Sequence, residues 1–143
     1  MSEAANKAVV RRYFDEVLDG GDRSVMRELF AEEAAQHFPG RDLTFESVPP
    51  GREFPNRRFR TTLHHLLADG DFVLAHLTHH VTFGQGERWP TRLGPIEAGG
   101  HSVSWDAMAL FHLKDGRIDE EWVSRDELDV LSQLGAVTLT PMS

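Results

Sequence analysis

Apolar residues recur at a helical period over Glu3 to Leu18, at Ala5, Val9, Val10, Tyr13, Phe14, Val17 and Leu18, and Gly20-Gly21 ends the stripe. Asp22 is placed to cap a second short helix, Arg23 to Phe30, with a further helical turn over Ala31 to Ala35. Gln36-His37-Phe38-Pro39-Gly40 breaks the period, because Pro39 lacks a backbone donor and Gly40 permits a turn. Arg41 to Phe54, with Pro49-Pro50-Gly51, reads as irregular loop. Pro55 suits the first turn of a third helix, which presents Phe59, Leu63, Leu66 and Leu67 on one side and stops at Asp69-Gly70.

From Phe72 onward the period changes to two. Between Phe72 and Phe83 the odd positions are Val73, Ala75, Leu77, His79, Val81 and Phe83, while the even ones include His76, Thr78, His80 and Thr82. The odd face is the more apolar, which predicts His79 as the single polar group pointing inward. Gly84 to Gly100 reads as a loop or ragged hairpin. Ser102 to Leu113 and Ile118 to Asp126 read as strands, and Glu127 to Leu134 as a helix stopped by Gly135. Helices first and then a run of antiparallel strands is an α+β pattern. The 143 residues are enough for one domain, residues 1–143, with a substantial core.

Asp115-Gly116 is a hairpin signal, and two registers are open. A three-residue loop over Lys114 to Gly116 with a Gly bulge sets His112 across from Ile118. It places Met108, Leu110, His112, Ile118, Trp122 and Asp126 on one face. A two-residue turn puts Phe111 and Leu113 on the face of Asp126 and turns His112 away. The choice matters, since a carboxylate and an imidazole facing one apolar cavity are the minimal equipment for acid–base chemistry. In the three-residue register the two sit eight positions apart, roughly 26 Å along a straight strand, so strong curvature is required. Asp126 also stands where the following helix needs an N-cap. His37 follows the early helices in an irregular stretch and is a further polar candidate. His79 is either a core histidine or a cavity group.

The formal net charge of −8 argues against a nucleic-acid partner, which would need clustered cations. No apolar run approaches the ~20 residues of a membrane span, and no signal-peptide core is visible. The absence of cysteine excludes disulfides and thiolate catalysis and fits a cytoplasmic protein. Only two of the 15 basic residues, Lys7 and Lys114, are lysines, a hint of a GC-rich bacterial source. His76, His79 and His80 diverge on a strand, and His64-His65 diverge on a helix, so no metal site is expected. Phosphate-cradling and dinucleotide-binding glycine motifs and the G-x-S-x-G motif are absent, so no cofactor is expected.

Several stretches carry a family likeness: Val10-Arg-Arg-Tyr-Phe-Asp-Glu-Val-Leu-Asp-Gly-Gly-Asp22, then Gln36-His37 and Gly70-Asp71-Phe72-Val73. Asp115-Gly116-Arg-Ile118-Asp-Glu120-Glu-Trp122, Asp126 and Gln133-Leu134-Gly135 follow. The chain resembles the SnoaL-like polyketide cyclases of the nuclear-transport-factor-2-like superfamily. That resemblance implies a cone of N-terminal helices closed by a curved mixed sheet, with an apolar pocket between them. It implies Asp126 as general acid/base, His112 from the preceding strand in the same site, and His37 as a helper, and so favours the three-residue turn. Tyr13, Phe14, His79, Met108, Leu110 and Trp122 are the expected substrate walls. The implied function is cofactor-free ring closure of a bacterial polyketide intermediate, in antibiotic-type biosynthesis. A cofactor-free hydroxylase, another ring-forming or isomerising enzyme, and a non-catalytic small-molecule-binding module are the alternatives. The Arg-x-Asp spacing of epoxide hydrolases occurs only at Arg117-Ile118-Asp119, facing away from Asp126, which argues against that reaction. A homodimer is expected through the sheet, with Phe72, Leu74, Val103, Trp105, Phe111, Leu113 and Val123 facing away from the pocket.

Overall fold

Ser2 opens the first helix, α1 (Glu3–Arg12), by accepting a hydrogen bond from the Ala5 N–H through its side-chain oxygen. In the computed structural model, which describes residues 2–44 and 56–142, α1 runs on into a π-helical segment, Tyr13–Asp19. Asp22 caps α2 (Arg23–Leu29). The strands are β1 (Phe30–Phe38), β2 (Arg41–Thr44), β3 (Arg57–Asp69), β4 (Phe72–Phe83), β5 (Arg88–Thr91), β6 (Gly94–Glu97), β7 (Ser102–Lys114) and β8 (Arg117–Arg125), and α3 (Glu127–Gln133) follows. Six of them form one sheet in the order β2-β1-β8-β7-β4-β3, and β5 and β6 form a separate hairpin. Within the six-stranded sheet β1 and β8 run parallel, while the other neighbours are antiparallel. The result is an α+β fold, a mixed curved sheet with the N-terminal helices packed across it.

Tyr13 and Phe14 from the π-helical segment meet Phe30 and Phe111 in an aromatic cluster, with ring centroids 5.0–5.9 Å apart. Val10, Val17, Val73, Ala75 and Ile118 are buried around it. None of the helices among the described residues is long and apolar enough to cross a membrane.

Two stretches expected to be helical are strands. Ala31 to Ala35 belongs to β1, and Phe59 to Leu67 lies within β3. The reason in β3 is a bulge at His64, where the pairing shifts from Leu63↔Leu77 to His65↔His76. The extra residue changes the inward spacing from two to three, so Phe59, Leu63 and Leu66 imitate a helical stripe. Residues 41–44, expected as loop, pair with β1, while the rest of that expected loop and the helix start at Pro55 lie outside the described residues.

The β7–β8 turn has two residues. Lys114 pairs with Arg117, and Asp115 (φ 53°) and Gly116 (φ 78°) both take the left-handed conformation of a type I′ turn. Val103, Trp105, Ala107, Ala109, Phe111 and Leu113 therefore point into the molecule, and Met108, Leu110 and His112 point out.

Candidate active site

Between the helices and the inner face of the sheet lies a cavity of about 650 Å³. The sequence of β7 accounts for it. Its inward side chains run Trp105, Ala107, Ala109, Phe111, so two small residues leave a trough between two bulky ones. Tyr13, Gln36 and Glu121 line one end; Arg57, Glu87 and Trp89 line the other, with His79, Trp105 and Arg125 along the walls.

Glu121 reaches the interior through a bulge in β8. The register passes from Leu113↔Ile118 to His112↔Glu120, leaving Asp119 as the extra residue. Ile118 still points inward, but past the bulge the inward residues become Glu121, Val123 and Arg125 rather than Glu120, Trp122 and Ser124. The parallel ladder pairs Gln36 with Glu121, and the Gln36 amide donates to Glu121 Oε1 at 2.7 Å. Glu121 is only 2% exposed. Burial raises its pKa from 4.5 to about 7, against the smaller opposing pull of the Gln36 bond. Tyr13 beside it is held protonated, chiefly by burial and also by the Glu121 charge. A carboxyl poised near neutrality next to a protonated phenol can take a proton while a hydroxyl donates to developing negative charge.

His79 stands apart from this pair. It lies opposite Trp105 on β7 and Glu121 lies opposite Phe111, six positions further, roughly 20 Å on straight strands. Thr61 Oγ1 sits 2.8 Å from His79 Nδ1 and donates to Asp19 Oδ1 at 2.8 Å, while the Thr61 N–H donates to Asp19 Oδ2. With its proton given to Asp19, the Thr61 hydroxyl accepts from His79 Nδ1–H, which leaves Nε2 as a free acceptor. Burial first, then the Arg125 charge, lowers the His79 pKa to about 4, so the ring is neutral at pH 7.

A family model of the SnoaL-like domain matches residues 10–121. The chain belongs to the SnoaL-like domain family. Solved structures of similar fold include AclR of Streptomyces galilaeus, a candidate hydroxylase (TM-score 0.71, 20% identity, covering 98% of this chain and 91% of that one). A candidate SnoaL-like polyketide cyclase from Jannaschia sp. CCS1 gives TM-score 0.71 at 23% identity, with 95% of each chain covered. An LEH-like epoxide hydrolase of M. tuberculosis gives TM-score 0.68 at 17% identity, covering 94% of this chain and 92% of that one. No curated protein matches the chain.

In this SnoaL-like chain the residues singled out from sequence separate into two groups. Tyr13, Phe14 and His79 line the cavity. Met108, Leu110, His112, Trp122, His37 and Asp126 do not. A face that gathers Met108, His112, Trp122 and Asp126 over the cavity requires a three-residue turn and an unbroken β8. The type I′ turn reverses β7, and the Asp119 bulge reverses β8 after Ile118. His112 lies on the outer face with its Nδ1 2.6 Å from Asp119 Oδ1. His37 is also outside, with Nδ1 2.9 Å from Asp42, Nε2 2.7 Å from Glu120, and its ring stacked on Trp122. The Asp42 bond first, then the Glu120 bond, raises its pKa. Asp126 is exposed and caps α3, accepting from the Asp129 N–H at 3.1 Å.

Glu121, Gln36, Arg57, Trp89 and Arg125 are cavity residues that the sequence reading did not single out. His64 and His65, expected to diverge on a helix, lie on β3 instead, His64 as the bulged residue and His65 next to it. His65 Nδ1 lies 3.1 Å from His76 Nδ1 on the outer face. Among the described residues no group of three or more His, Asp and Glu is arranged to hold a metal ion.

Proposed function

We propose that this SnoaL-like protein is a cofactor-free acid–base enzyme of bacterial polyketide biosynthesis that closes a ring in a polyketide-like intermediate. The observation that carries this reading is Glu121, a buried carboxyl with a pKa of about 7 at one end of a cavity large enough for a small polycyclic molecule. In this reading Glu121 takes the role that the family resemblance offered to Asp126. Its carboxylate removes a proton from the carbon next to a substrate carbonyl, and the Tyr13 hydroxyl donates to the enolate oxygen. The enolate carbon attacks a second carbonyl of the same molecule, a carbon–carbon bond forms, and Glu121 returns its proton to the resulting alkoxide. Water exclusion and the folding of the substrate by Trp105, Phe59 and Phe14 supply the near-attack shape.

The similar structures bear names of three chemistries, so the fold alone does not choose among them. Aldol closure is the reading that one base and one hydroxyl donor serve without further groups. The test is α-proton exchange in D₂O with 1-tetralone, a flat bicyclic ketone, followed by proton NMR. The protein is expected to accelerate loss of the protons beside the carbonyl. A rate equal to that of buffer would contradict acid–base catalysis and favour a binding module.

A cytoplasmic location and a homodimer complete the proposal. The dimer surface differs from the one expected, because Val103, Trp105, Phe111 and Leu113 are buried in the core and Val123 packs against it. Phe72 and Leu74 do lie on the outer face as expected, joined there by exposed Met108 and Trp122 and by Leu110. Light scattering is expected to give about twice the chain mass of 16.1 kDa, and Met108→Glu to shift it toward the monomer. A monomeric wild type would remove the dimer from the proposal.

A further inference from the structure

The chain carries 15 Lys and Arg against 23 Asp and Glu, yet the cavity has the opposite balance. Arg23, Arg41, Arg57, Arg88 and Arg125 line it, against the carboxyls of Glu87 and Glu121. Two of the five are deep: the side chains of Arg57 and Arg125 are 13% and 3% exposed. They cover Trp89, with their guanidinium carbons 4.8 Å and 5.0 Å from its ring centroid. Arg125 is satisfied at its Nε, which donates to Glu127 at 2.7 Å, and at its Nη2, which donates to the Pro90 carbonyl at 2.8 Å.

Arg57 is not. Its Nη2 meets Glu87 Oε2 at 3.0 Å, but among the described residues its buried Nε has no hydrogen-bond partner, and neither has the buried Nε1 of Trp89 beside it. Unpaired buried donors are costly and rare, and two on touching residues of the cavity wall call for an acceptor-rich group beside the pair. Burial lowers the Arg57 pKa, and the nearby Arg41 charge pushes the same way, while Glu87 opposes both. An anion at this end would relieve that repulsion.

We propose that the Arg57–Trp89 end of the cavity is a carboxylate subsite, and that the substrate is a carboxylic acid whose flat body runs past Trp105 toward Glu121. A planar guanidinium flanked by an indole suits the planar, two-oxygen carboxylate. The small side chains of Ala107 and Ala109 leave the path between the two ends open. The subsite rests on the acid–base reading only for the statement that Glu121 is where the reaction occurs; recognition of the acid does not depend on it.

The test is isothermal titration of the purified protein with 2-naphthoate and with 2-naphthamide, which match in shape and differ in charge. Naphthoate is expected to bind about tenfold or more tightly than the amide, as charge-assisted hydrogen bonds imply. Arg57→Gln, checked for its fold by circular dichroism, is expected to lose that preference, and Glu121→Gln to keep it. The wild-type comparison stands by itself if Arg57→Gln fails to fold. Equal binding of the two probes, no naphthoate binding at millimolar concentration, or a preference that survives in folded Arg57→Gln would each overturn the subsite. Wild-type protein that prefers naphthoate but does not catalyse exchange of 1-tetralone would overturn the acid–base reading alone. Catalysed exchange without the preference would overturn the subsite alone.

Discussion

Glu121→Gln is expected to slow α-proton exchange by about 10²-fold or more while leaving the fold intact. The substitution preserves size and keeps a carbonyl oxygen to accept from the Gln36 amide, which lies 2.7 Å from Glu121 Oε1 in the wild type. What it removes is the ability to carry a proton. Glu121→Asp keeps that ability but withdraws the carboxyl by one methylene from both Gln36 and the substrate, so an intermediate loss is expected. Exchange at the wild-type rate in a folded Glu121→Gln protein would contradict the assignment.

The same substitution should stabilise the protein at neutral and alkaline pH. In the unfolded chain the carboxyl titrates near 4.5 and in the folded chain near 7, so between those values the folded state binds more protons. Stability therefore falls as pH rises through this window, and above it the buried charge costs about 3 kcal/mol. Gln carries no such penalty. Denaturant melts should show little difference between variant and wild type near pH 4 and a gain approaching that figure at pH 8. His79 acts in the opposite sense: its folded pKa of about 4 lies below its ordinary 6.5, so its share of stability is lost as pH falls through that range. Wild-type protein should thus vary little between pH 4.5 and 6.5 from these two groups, and Glu121→Gln should expose the acid-side loss due to His79. Identical stability of the two proteins at pH 8 would show that Glu121 is not buried as a charge.

The parts of this fold legible in the sequence are those whose period runs unbroken. The first helix, β4 with His79 on its inward face, and the hairpin around Asp115-Gly116 follow from simple alternation and turn chemistry. The parts that were not legible are those interrupted by one residue. A bulge at His64 makes β3 look helical, and a bulge at Asp119 moves the inward face of β8 from Trp122 and Asp126 to Glu121 and Arg125. Since side chains alternate with a period of two, one extra residue transfers every later side chain to the other face. The run Asp119-Glu120-Glu121 held the one usable clue: an acidic stretch beside an apolar hairpin has to turn one of its members inward or break its register. Gln36 was equally hidden, because its partnership with Glu121 depends on a parallel pairing between strands 85 positions apart.

The central claim is that Glu121 changes protonation near neutral pH inside the cavity. The direct measurement is the ¹³C chemical shift of the Glu121 side-chain carboxyl in protein labelled at the glutamate δ-carbon, followed across pH and assigned by its loss in Glu121→Gln. A midpoint at about 7 is expected. A midpoint at the ordinary 4.5 would contradict it, and with it the acid–base reading of the cavity.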